Sequence, residues 1–263
     1  MLLKNKTAIV YGAGGAVGGA VARAFAREGA KVFLTGHTLA SVEATARDIG
    51  SAGGAAEIAK IDALDEQQVE QHIAALVTKA GRIDISFNAI GIPQPGMQGI
   101  PLAQLSVERF MTPITTYLRS HFLTARAAGR RMAEAGSGVI LMHTPEPARL
   151  GLPLNGGMAP AWAAMESLNR SLSAEFGPRG VRSVVIRSSG LPETHTIDVV
   201  FGLHAKAIGI PVQQFRAMVE GISHRKRSST LAEVAETAVF LASDRGSGLT
   251  GTVANLTGGE IVD

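Results

Sequence analysis

Cysteine is absent from the 263 residues, tyrosine occurs twice and tryptophan once. The first absence excludes disulfides, thiolate metal sites and a thiol nucleophile, and it fits a reducing compartment such as the cytoplasm. Charged residues are scarce at 18%, while 46% of the chain is hydrophobic and 31 residues are glycine. That balance suits a globular α/β protein rather than a disordered one, and the length allows one large domain with a well-buried core. Neither sign of charge dominates. A net charge of +3 is too slight and too dispersed to argue for nucleic acid. The one basic cluster, Arg225-Lys226-Arg227, reads as a solvated loop. No apolar run approaches the roughly 18 residues of a membrane span. The opening "MLLKNKTAIVYG" enters a strand pattern at once, with no room for a signal peptide. The expectation is a cytoplasmic protein without a membrane or nucleic-acid partner.

What is present is an alternation of strand-like and helix-like segments. Thr7–Tyr11, Lys31–Thr35, Ala55–Ile61, Ile83–Asn88, Val139–His143, Arg182–Arg187 and Thr252–Leu256 read as strands. Between them, Ala16–Glu28, Leu39–Ile49, Glu66–Ala80, Ser106–Ala135, Gly157–Phe176 and Leu231–Ser243 have helical spacing, with Pro113 expected to kink the fourth or delay its start. Apolar strands separated by helices predict a doubly wound parallel sheet, a Rossmann fold covered by helices on both faces, in a single domain spanning 1–263. Leu191–Thr230 is the least regular stretch and follows a strand, where a substrate lid would lie. In such a sheet, ligands bind outside the carboxyl ends of the strands, where strand order reverses.

The first strand-to-helix turn reads "YGAGGAVGGAVA". Its glycines permit a tight turn and close approach of a pyrophosphate to the helix N-terminus. With this turn, the chain-wide pattern resembles the short-chain dehydrogenase/reductase family over essentially its whole length. The family's T-G-x-x-x-G-x-G appears as Tyr11-Gly12-Ala13-Gly14-Gly15-Ala16-Val17-Gly18, with Tyr11 replacing the threonine and Ala16 the middle glycine. Its acidic adenine contact matches Asp62-Ala63, and its N-N-A-G matches Asn88-Ala89-Ile90-Gly91 with one asparagine retained. Its P-G-x-x-x-T segment matches Ser189-Gly190-Leu191-Pro192-Glu193-Thr194, which implies Gly190, Leu191 and Thr194 against the nicotinamide and phosphates. "LAEVAETAVFLASD" and "LTGTVANLTGG" are similar to the family's C-terminal signature. The resemblance implies a nicotinamide dinucleotide as cofactor. After the second strand, "LTGHT" has no carboxylate to repel a 2′-phosphate and places His37 where NADP-selecting members often carry arginine, which favours NADP over NAD.

The resemblance also implies an asparagine, serine, tyrosine and lysine for proton transfer. None is here. "ESLNRSLSAEFGPRGVR" anchors the alignment and places Met158 at the tyrosine and Trp162 at the lysine. The serine position falls on Thr144 or Pro145 and the asparagine position on Tyr117. Methionine has no transferable proton, and a neutral indole cannot act as an ammonium does. Three readings stay open. In the first, an oxidoreductase uses a relocated acid, with Tyr117 first (His121 lies one turn on), then His143, Thr144 and Glu146. Each has a plainer alternative: Tyr117 packing on Met158, His143 as a satisfied core residue, Glu146 as a solvated carboxylate. In the second, a non-catalytic relative binds a nucleotide or a protein partner. In the third, the scaffold performs cofactor-independent chemistry, against which the kept glycine turn, Asp62 and Asn88 argue.

The substrate side is expected to be apolar, from Ile92, Pro93, Leu150, Leu152, Met158, Trp162 and lid residues Val199, Phe201 and Leu203. No metal site is assigned. The resemblance further implies a homodimer or homotetramer, built on the Ser106–Ala135 and Gly157–Phe176 helices and on the C-terminal strand.

Overall fold

A computed structural model describes residues 1–262. Among them are seven strands, β1 (Thr7–Tyr11), β2 (Lys31–Gly36), β3 (Ala55–Lys60), β4 (Ile85–Asn88), β5 (Gly138–Pro145), β6 (Val181–Ser188) and β7 (Thr252–Leu256). The helices between them are α1 (Ala16–Arg27), α2 (Leu39–Ser51), α3 (Glu66–Ala80), α4 (Val107–Glu134), α5 (Met158–Phe176), α6 (His195–Ile208), α7 (Val212–Ile222) and α8 (Leu231–Ala242). The strands form one sheet in the order β3-β2-β1-β4-β5-β6-β7. Every pairing is parallel, so strand order reverses between β1 and β4. This is the expected doubly wound α/β fold.

The two-residue period of a strand sorts side chains into two cores. Ala8 and Val10 of β1, Val139 and Leu141 of β5 and Val184 and Ile186 of β6 pack in one layer with α1 and α8. Ile9 and Tyr11, Ile140 and Met142, and Val185 pack in the other with α3, α4 and α5. Local signals set the helix ends. Asp65 accepts from Gln68 N at the start of α3, and Thr230 and Glu233 form a reciprocal capping box on α8. The basic cluster is tied to that cap, with Arg225 and Arg227 both paired to Glu233. Among the described residues, no helix is long and apolar enough to cross a membrane.

Two stretches differ from expectation. The helix α4 neither starts late nor ends at Pro113; it runs from Val107, capped by the Ser106 hydroxyl. The proline removes one hydrogen bond near the helix start, and packing against α5 outweighs that loss. The supposedly irregular 191–230 holds two helices. α6 is capped by Thr194 and stopped by Gly209 in the left-handed region, and α7 begins after Pro211. Gly202 and Gly221 dilute their periodicity, which hid them in the sequence.

Candidate functional site

The reversal between β1 and β4 opens a crevice at the carboxyl ends of the strands, and the glycine turn shapes one wall. Gly12 has φ +72°, and a Cβ there would lie 2.7 Å from the Ala89 carbonyl oxygen. A Cβ on Gly18 would meet the Gly12 carbonyl at 2.3 Å, and one on Gly14 the Ser41 hydroxyl at 2.2 Å. Only hydrogen fits at these three places. Gly15 begins α1 with no side-chain cap, so the amides of the first turn are free for an anion.

Two adjoining cavities, of about 490 and about 570 Å³, share Gly15, Ala89, Ile90, Gly91 and Ile92. Gly12, Gly14, His37, Asp62 and Ala63 line the smaller one, where His37 Nε2 lies 3.6 Å from Asp62 Oδ2. Ala16, Val17, Asn88, Gly190, Leu191 and Thr194 line the larger. Gly18 alone of the expected cofactor residues lines neither; it lies buried behind the turn. Asn88 is already engaged, donating to Thr124 Oγ1 at 3.0 Å and accepting from Ile90 N. It fastens the β4 turn to α4. Thr194 likewise spends its hydroxyl on Leu191 O and on the α6 cap.

The larger cavity holds the chemical groups. Tyr117 of α4 and Trp162 of α5 form its wall, their ring centroids 6.3 Å apart. Burial raises the Tyr117 phenol, opposed by polar contacts with the Ile92 backbone, Gln94 and Trp162. One turn on, His121 Nδ1 donates to the Tyr117 carbonyl at 2.9 Å, while its buried Nε2 has no partner. Burial lowers His121 to about 4. His143 Nε2 lies 2.8 Å from Ser188 Oγ, and burial, then His121, lowers it to about 4 as well. Met158 is fully buried and lines neither cavity, so the position where the resemblance implies a tyrosine has joined the core. Tyr11 is also fully buried away from both cavities.

Thr144 is a correction. It does not line the crevice; its hydroxyl donates to Glu166 Oε1 at 3.0 Å, and Glu166 also accepts from Arg187 at 2.8 and 2.6 Å. Strand alternation explains it, since Thr144 shares a face with Ile140 and Met142, towards α5. Pro145 takes the crevice place of the family's serine. The apolar lining also differs in part. Ile92, Pro93, Leu152, Trp162 and Phe201 line the cavity, whereas Leu150, Met158, Val199 and Leu203 do not. The helices α6 and α7 contribute Val200, Phe215 and Met218 instead, with Phe201 and Phe215 packed edge to face at 5.4 Å.

Three further contributors stand at this cavity, of which the sequence reading offered only the first. Glu146, a second-choice acid there with a solvated carboxylate as its plainer alternative, is only 9% exposed, and among the described residues its Oε2 has no partner. Burial, and then Glu260, push it up to about 8. Glu260 itself lines the same cavity, its Oε2 also unpartnered and its carboxyl raised by burial. Gly258 (φ +67°) and Gly259 (φ +88°) turn the tail after β7 so that this carboxyl enters. A carboxylate four residues past the carboxyl end of the last strand is the signal that could have found it. Third is a chain of amides. His204 Nε2 donates to Gln98 Oε1 at 3.0 Å, Gln98 to Gln94 Oε1 at 2.6 Å, and Gln94 to Ile92 O at 2.6 Å. It ties α6 to the loop after β4.

Comparison with known proteins agrees with this architecture. The family model described as enoyl-(acyl carrier protein) reductase matches residues 12–260. An uncharacterised oxidoreductase of Bacillus subtilis is 32% identical over 257 residues, covering 98% of this chain and 91% of that protein. A D-threitol dehydrogenase of Mycolicibacterium smegmatis is 29% identical, covering 98% and 93%. The crystal structure of an NAD+-bound xylitol dehydrogenase superposes with a TM-score of 0.92 at 22% identity, covering 98% of this chain and 100% of that one. A glycine turn at the reversal point, a seven-stranded parallel sheet and a match along nearly the whole chain thus agree, and the protein belongs to the short-chain dehydrogenase/reductase family of oxidoreductases.

Proposed function

We propose that the chain is an NAD(P)-dependent oxidoreductase, taking NADP in preference to NAD, that acts on a largely apolar carbonyl or alcohol with Tyr117 as the proton donor. The observation that carries this reading is the pair of joined cavities meeting at the uncapped N-terminus of α1. Gly12 and Gly14 hold a tight turn in which a Cβ would collide with Ala89 or Ser41, and such a turn at a helix N-terminus fits a pyrophosphate. When bound, the dinucleotide would supply or accept the hydride at its nicotinamide ring.

The chain's own residues do the rest. Asp62 and Ala63 would hold the adenine end, and Gly190, Leu191 and Thr194 the nicotinamide end. The β2 end presents His37, Thr38 and Ser41 and no carboxylate, which supports room for a 2′-phosphate. Tyr117, its proton retained by burial, supports donation to a carbonyl oxygen. Residues 191–230 serve as the substrate lid, with α6 and α7 as an apolar roof unlike one suited to a polyol such as D-threitol. Exposed Met111 and Phe122 on α4 support a homodimer through the α4–α5 face, with the C-terminal strand as a second contact for a tetramer.

Calorimetric titration with NADPH, NADH and their oxidised forms tests the reading. Micromolar binding of NADPH is expected, and Tyr117→Phe should lower kcat on a carbonyl substrate by about 100-fold or more while sparing dinucleotide affinity. Trp162 at the lysine position favours a second reading, a catalytically inactive relative whose ribose contact is filled. Absence of binding at millimolar dinucleotide would select it.

A further inference from the structure

We propose that Glu146 and Glu260 form an acidic subsite for a cationic nitrogen, so that the apolar ketone or alcohol taken by this cavity also carries an ammonium group. The ketone or alcohol rests on the oxidoreductase reading; the cation does not.

The cavity's charge inventory is one-sided. Its ionisable lining consists of Glu146, Glu260, Tyr117, His121, His143 and His204, with no lysine or arginine. His121 and His143 are held neutral at neutral pH by burial, so they supply no positive charge either. An anionic ligand therefore meets no cationic side chain in this cavity.

The carboxyls themselves are unsatisfied. Among the described residues, Glu146 and Glu260 each present one buried oxygen with no hydrogen-bond partner, and His121, with its unpartnered buried Nε2, lines the same space. Buried polar atoms left so are unfavourable and uncommon in native proteins. Glu166 shows the contrary arrangement in this same fold, both of its oxygens engaged by Arg187 and Thr144. Carboxyls from two distant parts of the chain, the end of β5 and the tail after β7, converge on one cavity, and one oxygen of each meets no donor among the described residues.

The surrounding walls select among possible donors. Tyr117 and Trp162 of the wall and Phe201 and Phe215 of the roof place aromatic rings around the cavity, together with aliphatic Val200 and Ile208. Aromatic faces beside carboxylates suit an alkylated ammonium, whose charge is spread over its carbon substituents. The charge balance is also favourable. In the empty cavity Glu146 keeps a proton, because burial and Glu260 push it up to about 8. An entering ammonium displaces that proton to solvent, so the net charge of the apolar space does not change. No bond to carbon forms or breaks in this step.

The test uses two isosteric probes on the purified full chain, phenacyltrimethylammonium and neopentyl phenyl ketone. They differ in a quaternary nitrogen against a quaternary carbon. Trp162 is the chain's only tryptophan and lines the cavity, so its fluorescence reports occupancy directly. The cation is expected to bind about tenfold or more tightly than the neutral ketone. Its binding near pH 7 should release a proton, read calorimetrically in buffers of different ionisation enthalpy. The double variant Glu146→Gln, Glu260→Gln should lose the preference and the proton release, while keeping neutral-ketone binding within about twofold. Equal or tighter binding of the neutral ketone, an unchanged preference in the double variant, or no binding of either probe at millimolar concentration would overturn the subsite. Should the variant misfold, proton release by the wild type decides alone. Dinucleotide titration separates the two claims: cation preference without dinucleotide binding removes the oxidoreductase reading and leaves the subsite, and the reverse result removes the subsite only.

Discussion

At the crevice end of β5 and β6, adjacent residues lead to opposite environments. Thr144 and Arg187 point towards α5 and close with Glu166 into a buried network in which both carboxylate oxygens are paired. Their neighbours His143 and Ser188 point the other way, and with Glu146 they border a cavity where Glu146 Oε2 and His121 Nε2 are unpartnered. Burial is similar on the two sides. Only satisfaction differs. A buried polar group that is fully paired supports the fold, whereas one left unpaired in a cavity is available to a ligand.

Breaking the paired side should have the larger effect. Glu166→Ala strands the Arg187 guanidinium in the core and should lower stability by about 3–5 kcal/mol, measured by urea unfolding. A loss below about 1 kcal/mol would mean that Arg187 reaches water and that the two sides are less different than their geometry implies.

On the unpaired side the sign reverses with pH. The folded-state pKa of Glu146 is raised to about 8, so the native protein keeps a proton that the unfolded chain releases. Its contribution is complete below the ordinary carboxylate value and is lost as pH rises towards 8. Glu146→Gln should therefore stabilise the protein above pH 8 and change little near pH 5. His121 and His143, lowered to about 4, act oppositely, and stability should fall as pH drops from about 6.5 towards 4. Thermal melts across pH 4–9 would show both slopes, and a flat Glu146→Gln difference would remove the contrast.

The smallest effect is expected from Thr144→Val. Arg187 still engages both Glu166 oxygens, so the loss is one hydrogen bond, about 1 kcal/mol in the same unfolding assay. Unaltered dinucleotide affinity in that variant would confirm that Thr144 belongs to the fold and not to the crevice.

Much of the architecture was legible because it depends on local pattern. The period-two alternation of Ala8–Tyr11 and Ile140–Thr144 and the glycine turn at 12–18 specify strand faces and crevice wall without knowledge of the partner elements. The turns of α6 and α7 were missed because glycines interrupt amphipathic segments whose apolar face is defined only by the cavity beneath. Thr144 was misplaced as a candidate acid although the same alternation already separated it from His143. Glu146 stayed open between a relocated acid and a solvated carboxylate because its sequence distance from Glu260 conceals their shared cavity.

By itself the sequence determined the doubly wound sheet and the glycine-shaped turn at the strand reversal. These are properties of residue type and spacing along a chain. Only the tertiary structure decided which polar groups are paired and which stand empty, because pairing depends on how β5, β6, α4, α5 and the tail after β7 converge in space. Burial of Glu146 beside Glu260, and of Glu166 beside Arg187, follows from that convergence, and the two carboxylates differ in nothing that the chain around them displays.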